Sequence, residues 1–298
     1  MDRHAVLVEK PSIAERRLNR DTVQRLRRVI AAIRRGFEPG RTARPGRRPR
    51  RQSSELAGVP VRLPEGECLL LRRRATPFLR RGLHLVPDKP DWRPGLLHTQ
   101  QLHELHILHE ALPHGVVYMD LETCGLKARP VFLVGLLHFD TADGWVVDQY
   151  FARHYGEEAA ILQAFWNRFR DSRVLVTFNG KAFDFPFIVD RSRYHRLKLP
   201  SATGRRRREI VHCDVLLYAR RLWKYRLDLP DCRLQTLEWC LCGREREQDI
   251  PGREIPLAYE RFVRTGRSDE IARILNHNFY DLVTLAELSF RVLSDLSG

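Results

Sequence analysis

Between Val116 and Ala152 the chain carries three apolar segments in close succession, VVYMDLE, VFLVGLLHF and WVVDQYFA. Each is rich in β-branched and aromatic residues and is followed by a short break containing Gly, the pattern of β-strands. Breaks this short leave no room for a crossover helix, so the three strands are expected to pair antiparallel. The period then changes. EEAAILQAFWNRFRD reads as a helix, RVLVTF as a strand, and EIVHCDVL as a further strand running into the helix VLLYARRLWKY. A last long helix is expected from about Ser268 to Leu293, with Ser268 as N-cap and Asp269 and Glu270 in the first turn. Antiparallel strands followed by alternating helix and strand imply an α/β fold, a mixed central β-sheet flanked by helices.

The organisation before Val116 is looser. Residues 57–88 hold the short apolar runs VPVRL and CLLLRRR between Gly and Pro, which read as strands of a small N-terminal region or a sheet extension. The segment QLHELHILHEALPHG carries His103, His106, His109 and His114. They read as ordinary helix histidines, because no Cys or carboxylate set completes a metal shell with them. Residues 11–35 form a basic helical pattern with Val23, Leu26, Ile30 and Ile33 at steps of three and four. Residues 36–54 are rich in Arg, Gly, Pro and Ser and read as a disordered linker. The expected division is a basic helix and linker at 1–55, a small strand-containing region at 56–111, and the main domain at 112–298.

Charge is unevenly spread. Residues 1–55 hold 16 Lys+Arg against 6 Asp+Glu, a balance of +10 in a chain whose net charge is +15. Such an excess favours a polyanionic partner through phosphate contacts and counterion release; a solvated Arg-rich surface is the plainer alternative. No apolar run approaches the ~20 residues that span a bilayer, so no membrane segment is expected. The N-terminus has no apolar secretory core, and its acidic residues break a mitochondrial pattern, so a cytoplasmic location is expected. Six cysteines without a C-x-x-C pair fit free thiols in a reducing compartment.

Acid interrupts the first strand. Asp120 and Glu122 are two residues apart, so their side chains share one face. Two close carboxylates repel, and one protonates unless a cation lies between them; a hard divalent ion suits such oxygen ligands. A solvent-facing strand is the alternative. Asp184, in FNGKAFDF, stands where a helix should begin after the strand RVLVTF, as a convergent acid or as a simple cap. Asn179 in the same loop is suited to fixing its turn. His277 and Asp281 lie four apart on one face of the last helix, as part of a site or as a surface pair.

D-x-E on the first strand, N-x-x-x-F-D after a later strand and H-x-x-x-D on the last helix together resemble the three motifs of the DEDD (DnaQ-like) 3′–5′ exonuclease superfamily, on the ribonuclease H-like fold. More narrowly, LETCGL, VFLVGLLHFD, LVTFNGKAFDFPFI, DVLLYARRLW, LQTLE, DIPGREIP and HNFYDLVTLAEL resemble the YprB-like ribonuclease H-like family. The ordered match covers roughly residues 112–290. The resemblance implies Asp120, Glu122, Asp184 and Asp281 as ligands of two Mg²⁺ or Mn²⁺ ions, with Asp120 between them. It implies hydrolysis of phosphodiester bonds in single-stranded nucleic acid from the 3′ end, with DNA or RNA left open. His277 is the candidate general base, although it stands four residues before Asp281 where that superfamily usually places a Tyr, its His usually standing five before. Thr123, Asn179, Lys181, Phe183 and Asn278 are candidates for substrate contact, Phe183 by stacking and Lys181 through a phosphate. A structure-specific endonuclease of the same fold and a non-catalytic nucleic-acid-binding scaffold are the rival readings.

Overall fold

A computed structural model of the chain describes residues 56–88, 92, 95, 97–125, 129–199, 211–224, 227–247 and 249–297. The basic helix and linker read in residues 1–55 lie outside the described residues.

The three consecutive apolar segments are β3 (Val116–Thr123), β4 (Val131–Asp140) and β5 (Gly144–Phe151). They pair antiparallel, as their short connections require. β6 (Val174–Thr177) and β7 (Val211–Asp214) follow, and both run parallel to β3, β6 directly beside it. Upstream, β1 (Val59–Leu63) and β2 (Gly66–Arg74) form a hairpin whose second strand pairs with β5. One sheet results among the described residues, in the order β1-β2-β5-β4-β3-β6-β7. Residues 59–74 therefore extend the main sheet.

Helices cover both faces. In chain order they are α1 (Thr76–Leu83), α2 (Thr99–Ala111), α3 (Glu158–Arg170), α4 (Asp184–Tyr194), α5 (Val215–Leu222), α6 (Leu234–Leu237), α7 (Ile255–Thr265) and α8 (Asp269–Leu296). A π-helical turn, Glu238–Cys242, continues α6. Two apolar cores follow from strand alternation. Val116 and Tyr118 of β3 point to a core shared with α2, α5 and most of α8. Val117, Met119 and Leu121 point to the opposite core, shared with α3, α4 and α7. Each fully buried Val, Leu or Phe contributes roughly 1.5–3 kcal/mol, so these two layers dominate the stability.

α8 joins the two cores. Ile271, Ile274 and Leu275 pack with the second, whereas Phe279, Leu282 and later residues pack with the first. The crossing brings residues 276–281 of α8 to the sheet beside the acid end of β3. A π-stack of Phe132 on Tyr259, 4.0 Å between centroids, ties β4 to α7 below that point. Ser268 takes the N-cap position of α8, with Asp269 and Glu270 in its first turn.

Candidate active site

The face of β3 that carries Val116 and Tyr118 continues as Asp120 and Glu122. Asp120 lies opposite Gly135 of β4, and Gly135 lies opposite Gln149 of β5. Over this row sits the side chain of Asn278, fully buried. Its Nδ2 donates to Asp120 Oδ2 at 2.8 Å, and its Oδ1 accepts from Gln149 Nε2 at 2.8 Å. Gln149 Nε2 also donates to Leu275 O at 2.8 Å. Gly135 makes room for this arrangement: a Cβ there would meet Asn278 Oδ1 at 2.1 Å. Pairing of β3 with β4 becomes irregular between Glu122 and Thr123, and Thr123 Oγ1 then donates to Gly125 O at 2.9 Å to shape the turn.

Asp184 opens α4 from the other side. The loop before it is pinned by Asp214, whose carboxylate accepts from Asn179 N at 2.7 Å, Lys181 N at 3.2 Å and Leu216 N at 3.2 Å. Asn179 is left-handed, at φ 64°, a conformation Asn tolerates. A Cβ at Gly180 would lie 2.4 Å from Thr177 Oγ1, so the close turn requires glycine there. The N-cap of α4 is Phe183, which makes no side-chain cap and is 57% exposed.

A network of ion pairs fixes the third segment. His277 Nδ1 bonds Asp249 Oδ1 at 2.8 Å, and its Nε2 lies 3.3 Å from Asp281 Oδ2. Arg246, nearly buried, donates to Asp281 Oδ1 at 2.6 Å and to Glu238 Oε2 at 2.6 Å. Glu238 in turn accepts from Thr284 Oγ1 at 2.7 Å and from Arg244 Nη1 at 3.1 Å. One oxygen of the Asp281 carboxylate is thus held from outside α8 by Arg246, and the other faces His277 one turn earlier on the same helix.

These groups share one electrostatic environment. Burial, then the charges of Asp281, Glu122 and Asp184, push the Asp120 carboxyl well above its ordinary range, against a smaller pull from His277. Burial pushes Glu122 up to about 8; His277 opposes this, and Asp281, Asp184 and Asp249 add to it. Asp184 is pushed up to about 6, mainly by burial. Burial lowers the affinity of His277 for its proton, but Asp281, Asp249 and Glu122 outweigh it and raise the imidazolium to about 10. A cleft of about 600 Å³ opens onto Asp120 and Asp281, and its lining also includes Arg220, Lys224 and Arg233, with Asp231 3.6 Å from Arg233. Carboxylates and basic groups in one cleft suit a phosphodiester whose reacting group needs cations and whose flanking phosphates need guanidinium or ammonium partners.

A family model described as the RNase_H superfamily matches residues 117–292, more than half of the chain. The chain belongs to the RNase H superfamily. Within it the chain is YprB-like: it is 31% identical over 254 residues to the uncharacterized protein YprB of Bacillus subtilis (strain 168), a match covering 81% of this chain and 58% of that protein. The chain spans less than two thirds of the length of this curated relative. The α/β fold with its mixed, helix-flanked sheet agrees with that membership.

In this RNase H-like frame, Asp120, Glu122, Asp281 and His277 come to one place, with Asp184 near enough to act on the first two. Several residues with a first reading as substrate contacts have other ties. Asn278 is buried and spent on Asp120 and Gln149, which makes it a positioning residue. Lys181 Nζ donates to Glu104 Oε1 at 2.8 Å. The Thr123 hydroxyl serves its own turn. Phe183 is exposed, and Asn179 lines the cleft. Sequence reading missed Gly135, Gln149, Arg246 and Asp249. Gly135 and Asp249 carried only the signal of lying in VFLVGLLHFD and DIPGREIP, which did not reveal what they touch. The donor set fits a hard divalent cation, being carboxylate oxygens that repel one another. Among the described residues, no three His, Cys, Asp or Glu side chains are arranged so that they could hold a metal ion, and Asp281 shares its oxygens with Arg246 and His277. Among the described residues no helix is long and apolar enough to cross a membrane.

Proposed function

We propose that this chain is a divalent-metal-dependent nuclease that hydrolyses single-stranded nucleic acid from the 3′ end. The carrying observation is convergence: the carboxylates at the start of α4 and in the middle of α8 raise the proton affinity of the pair on β3, at a cleft that Arg220, Lys224 and Arg233 also line. Asp120, Glu122, Asp184 and Asp281 would hold two Mg²⁺ or Mn²⁺ ions. When bound, such ions supply a water of lowered pKa and neutralise charge on the phosphodiester.

The protein's own groups do the rest. Asn278 fixes the rotamer of Asp120 through a bond that needs no charge. Arg246 fixes Asp281 and leaves its other oxygen toward His277. The Asp249 carboxylate accepts a hydrogen bond from Nδ1–H of His277 and so aims Nε2 at the acid centre. In that pose Nε2 would orient an attacking water and accept its proton. Neutralising Asp281 and Glu122 would remove two of the three carboxylates that raise His277, leaving Asp249, and would lower its hold on the proton. Arg220, Lys224 and Arg233 would receive the phosphates that flank the scissile one.

The test is hydrolysis of 3′-labelled DNA and RNA strands with Mg²⁺ or Mn²⁺, in the wild type and Asp120→Ala. Release of terminal nucleotides by the wild type alone is the expected result. Equal activity in both removes the proposed site. Cleavage of circular single strands would assign an endonuclease instead, because a 3′-exonuclease has no end to start from.

A further inference from the structure

A second groove, of about 800 Å³, lies on the opposite face of the sheet from the acid cleft. Its lining includes Cys124, Arg129, Tyr155, Arg253, Leu257 and Arg264. We propose that this groove is a second contact site for single-stranded nucleic acid, with bases against Tyr155 and Leu257 and phosphates on the three arginines. The inference rests on the reading of the chain as acting on nucleic acid, and it assigns where a longer strand goes.

Four observations carry it. Tyr155 and Leu257 are 43% and 51% exposed, large apolar surfaces that the fold leaves open beside one another. The Tyr155 ring is held rigid, edge-on to Tyr259 with centroids 5.6 Å apart, and Tyr259 is stacked on Phe132 and bonded through its hydroxyl to Ala152 O at 2.9 Å. A rigid aromatic face loses little freedom when a base stacks on it. The charges are placed around it: Arg253, Leu257, Glu260 and Arg264 recur at steps of four, three and four, so one outward face of α7 and its preceding turn presents two arginines about the apolar Leu257. Glu260 is the single acid among the lining residues, and it lies 3.9 Å from Arg264. Arg129 adds a third guanidinium from the other wall. Finally, the groove adjoins the centre in the chain itself. Cys124 follows Glu122 by two residues, just past the irregular end of β3 at Thr123.

Fluorescence anisotropy tests this in the full chain carrying Asp120→Ala, which keeps the probe intact. The probes are labelled oligothymidylates of about 6 and about 20 nucleotides, since a short strand fills the acid cleft and only a longer one reaches the groove. Tyr155→Ala is expected to weaken the longer strand about tenfold, with Tyr155→Phe restoring affinity. The pair Arg253→Glu and Arg264→Glu is expected to weaken it further and to lower the salt slope by about 2. The shorter strand should change by less than about twofold in each. Unchanged affinity for the longer strand in both variants overturns the inference. So does a loss of polyglutamate binding with oligonucleotide binding intact, which would mark an acidic protein partner. Hydrolysis by the unsubstituted chain is read separately. Binding through the groove without cleavage keeps the inference and removes the nuclease reading; cleavage with groove variants that bind normally does the reverse.

Discussion

At the scale of single residues, the acid centre is costly without cations. Glu122 keeps its proton up to about 8, mainly because it is buried, and His277 keeps its proton up to about 10 because carboxylates surround it. A group with a raised folded-state pKa holds more protons in the folded than in the unfolded protein, so stability falls as pH rises through that window. Metal-free protein should therefore lose thermal stability from about pH 4.5 to 8 through Glu122 and from about 6.5 to 10 through His277. Metal binding must expel the same protons, so the Mg²⁺-induced rise in melting temperature should grow with pH across 6 to 8. Differential scanning fluorimetry at several pH values checks both signs; a metal-induced shift independent of pH would contradict them. Asn278→Ala should cost about 1–3 kcal/mol, because Gln149 loses a buried partner, and should also lower activity by freeing Asp120. Urea unfolding and hydrolysis rates measure the two effects; full activity in a folded variant would remove the positioning role.

At the scale of elements, the acid centre depends on how closely α8 approaches the sheet. Gly135 permits that approach in the middle of an otherwise apolar β4. Gly135→Ala should cost about 1–3 kcal/mol by overpacking and should weaken metal binding, since Asn278 must move and take Asp120 with it. Calorimetric unfolding and metal titration of the variant read this directly. This is also where legibility from sequence ends. The strands β3 to β5 were readable because long apolar runs are broken by short Gly-containing turns. Asp120 and Glu122 stood out because acid interrupts such a run, and His277 and Asp281 because they share a helix face. α1 and α7 were not readable: one is eight residues of a segment that also carries strand-like runs, and the other starts inside a Pro-bounded turn. Arg246 and Asp249 were hidden for a different reason. They act on partners 35 and 28 residues away, through an irregular segment without a period of its own. Asn278 was visible as a residue, but only its burial between β3 and β5 shows that it serves Asp120.

At the scale of the whole molecule, a sheet with two cores carries an acid cleft on one face and an arginine-lined groove on the other. Most of the excess positive charge lies elsewhere, in residues 1–55, which hold +10 of the +15. Removing those residues should weaken binding of every strand alike and flatten its salt dependence, without changing which bond is cut. Anisotropy against salt with the shortened and full chains checks this; an unchanged slope would place the phosphate contacts entirely within residues 56–298. The central claim is that four carboxylates from three separated segments form one cation site. Its most direct measurement is Mn²⁺ titration by calorimetry of the wild type and of Asp120→Ala, Glu122→Ala, Asp184→Ala and Asp281→Ala, each first shown to be folded. The account predicts saturable binding by the wild type and its loss or marked weakening in all four variants. Wild-type affinity and stoichiometry retained in any folded one of them would contradict it.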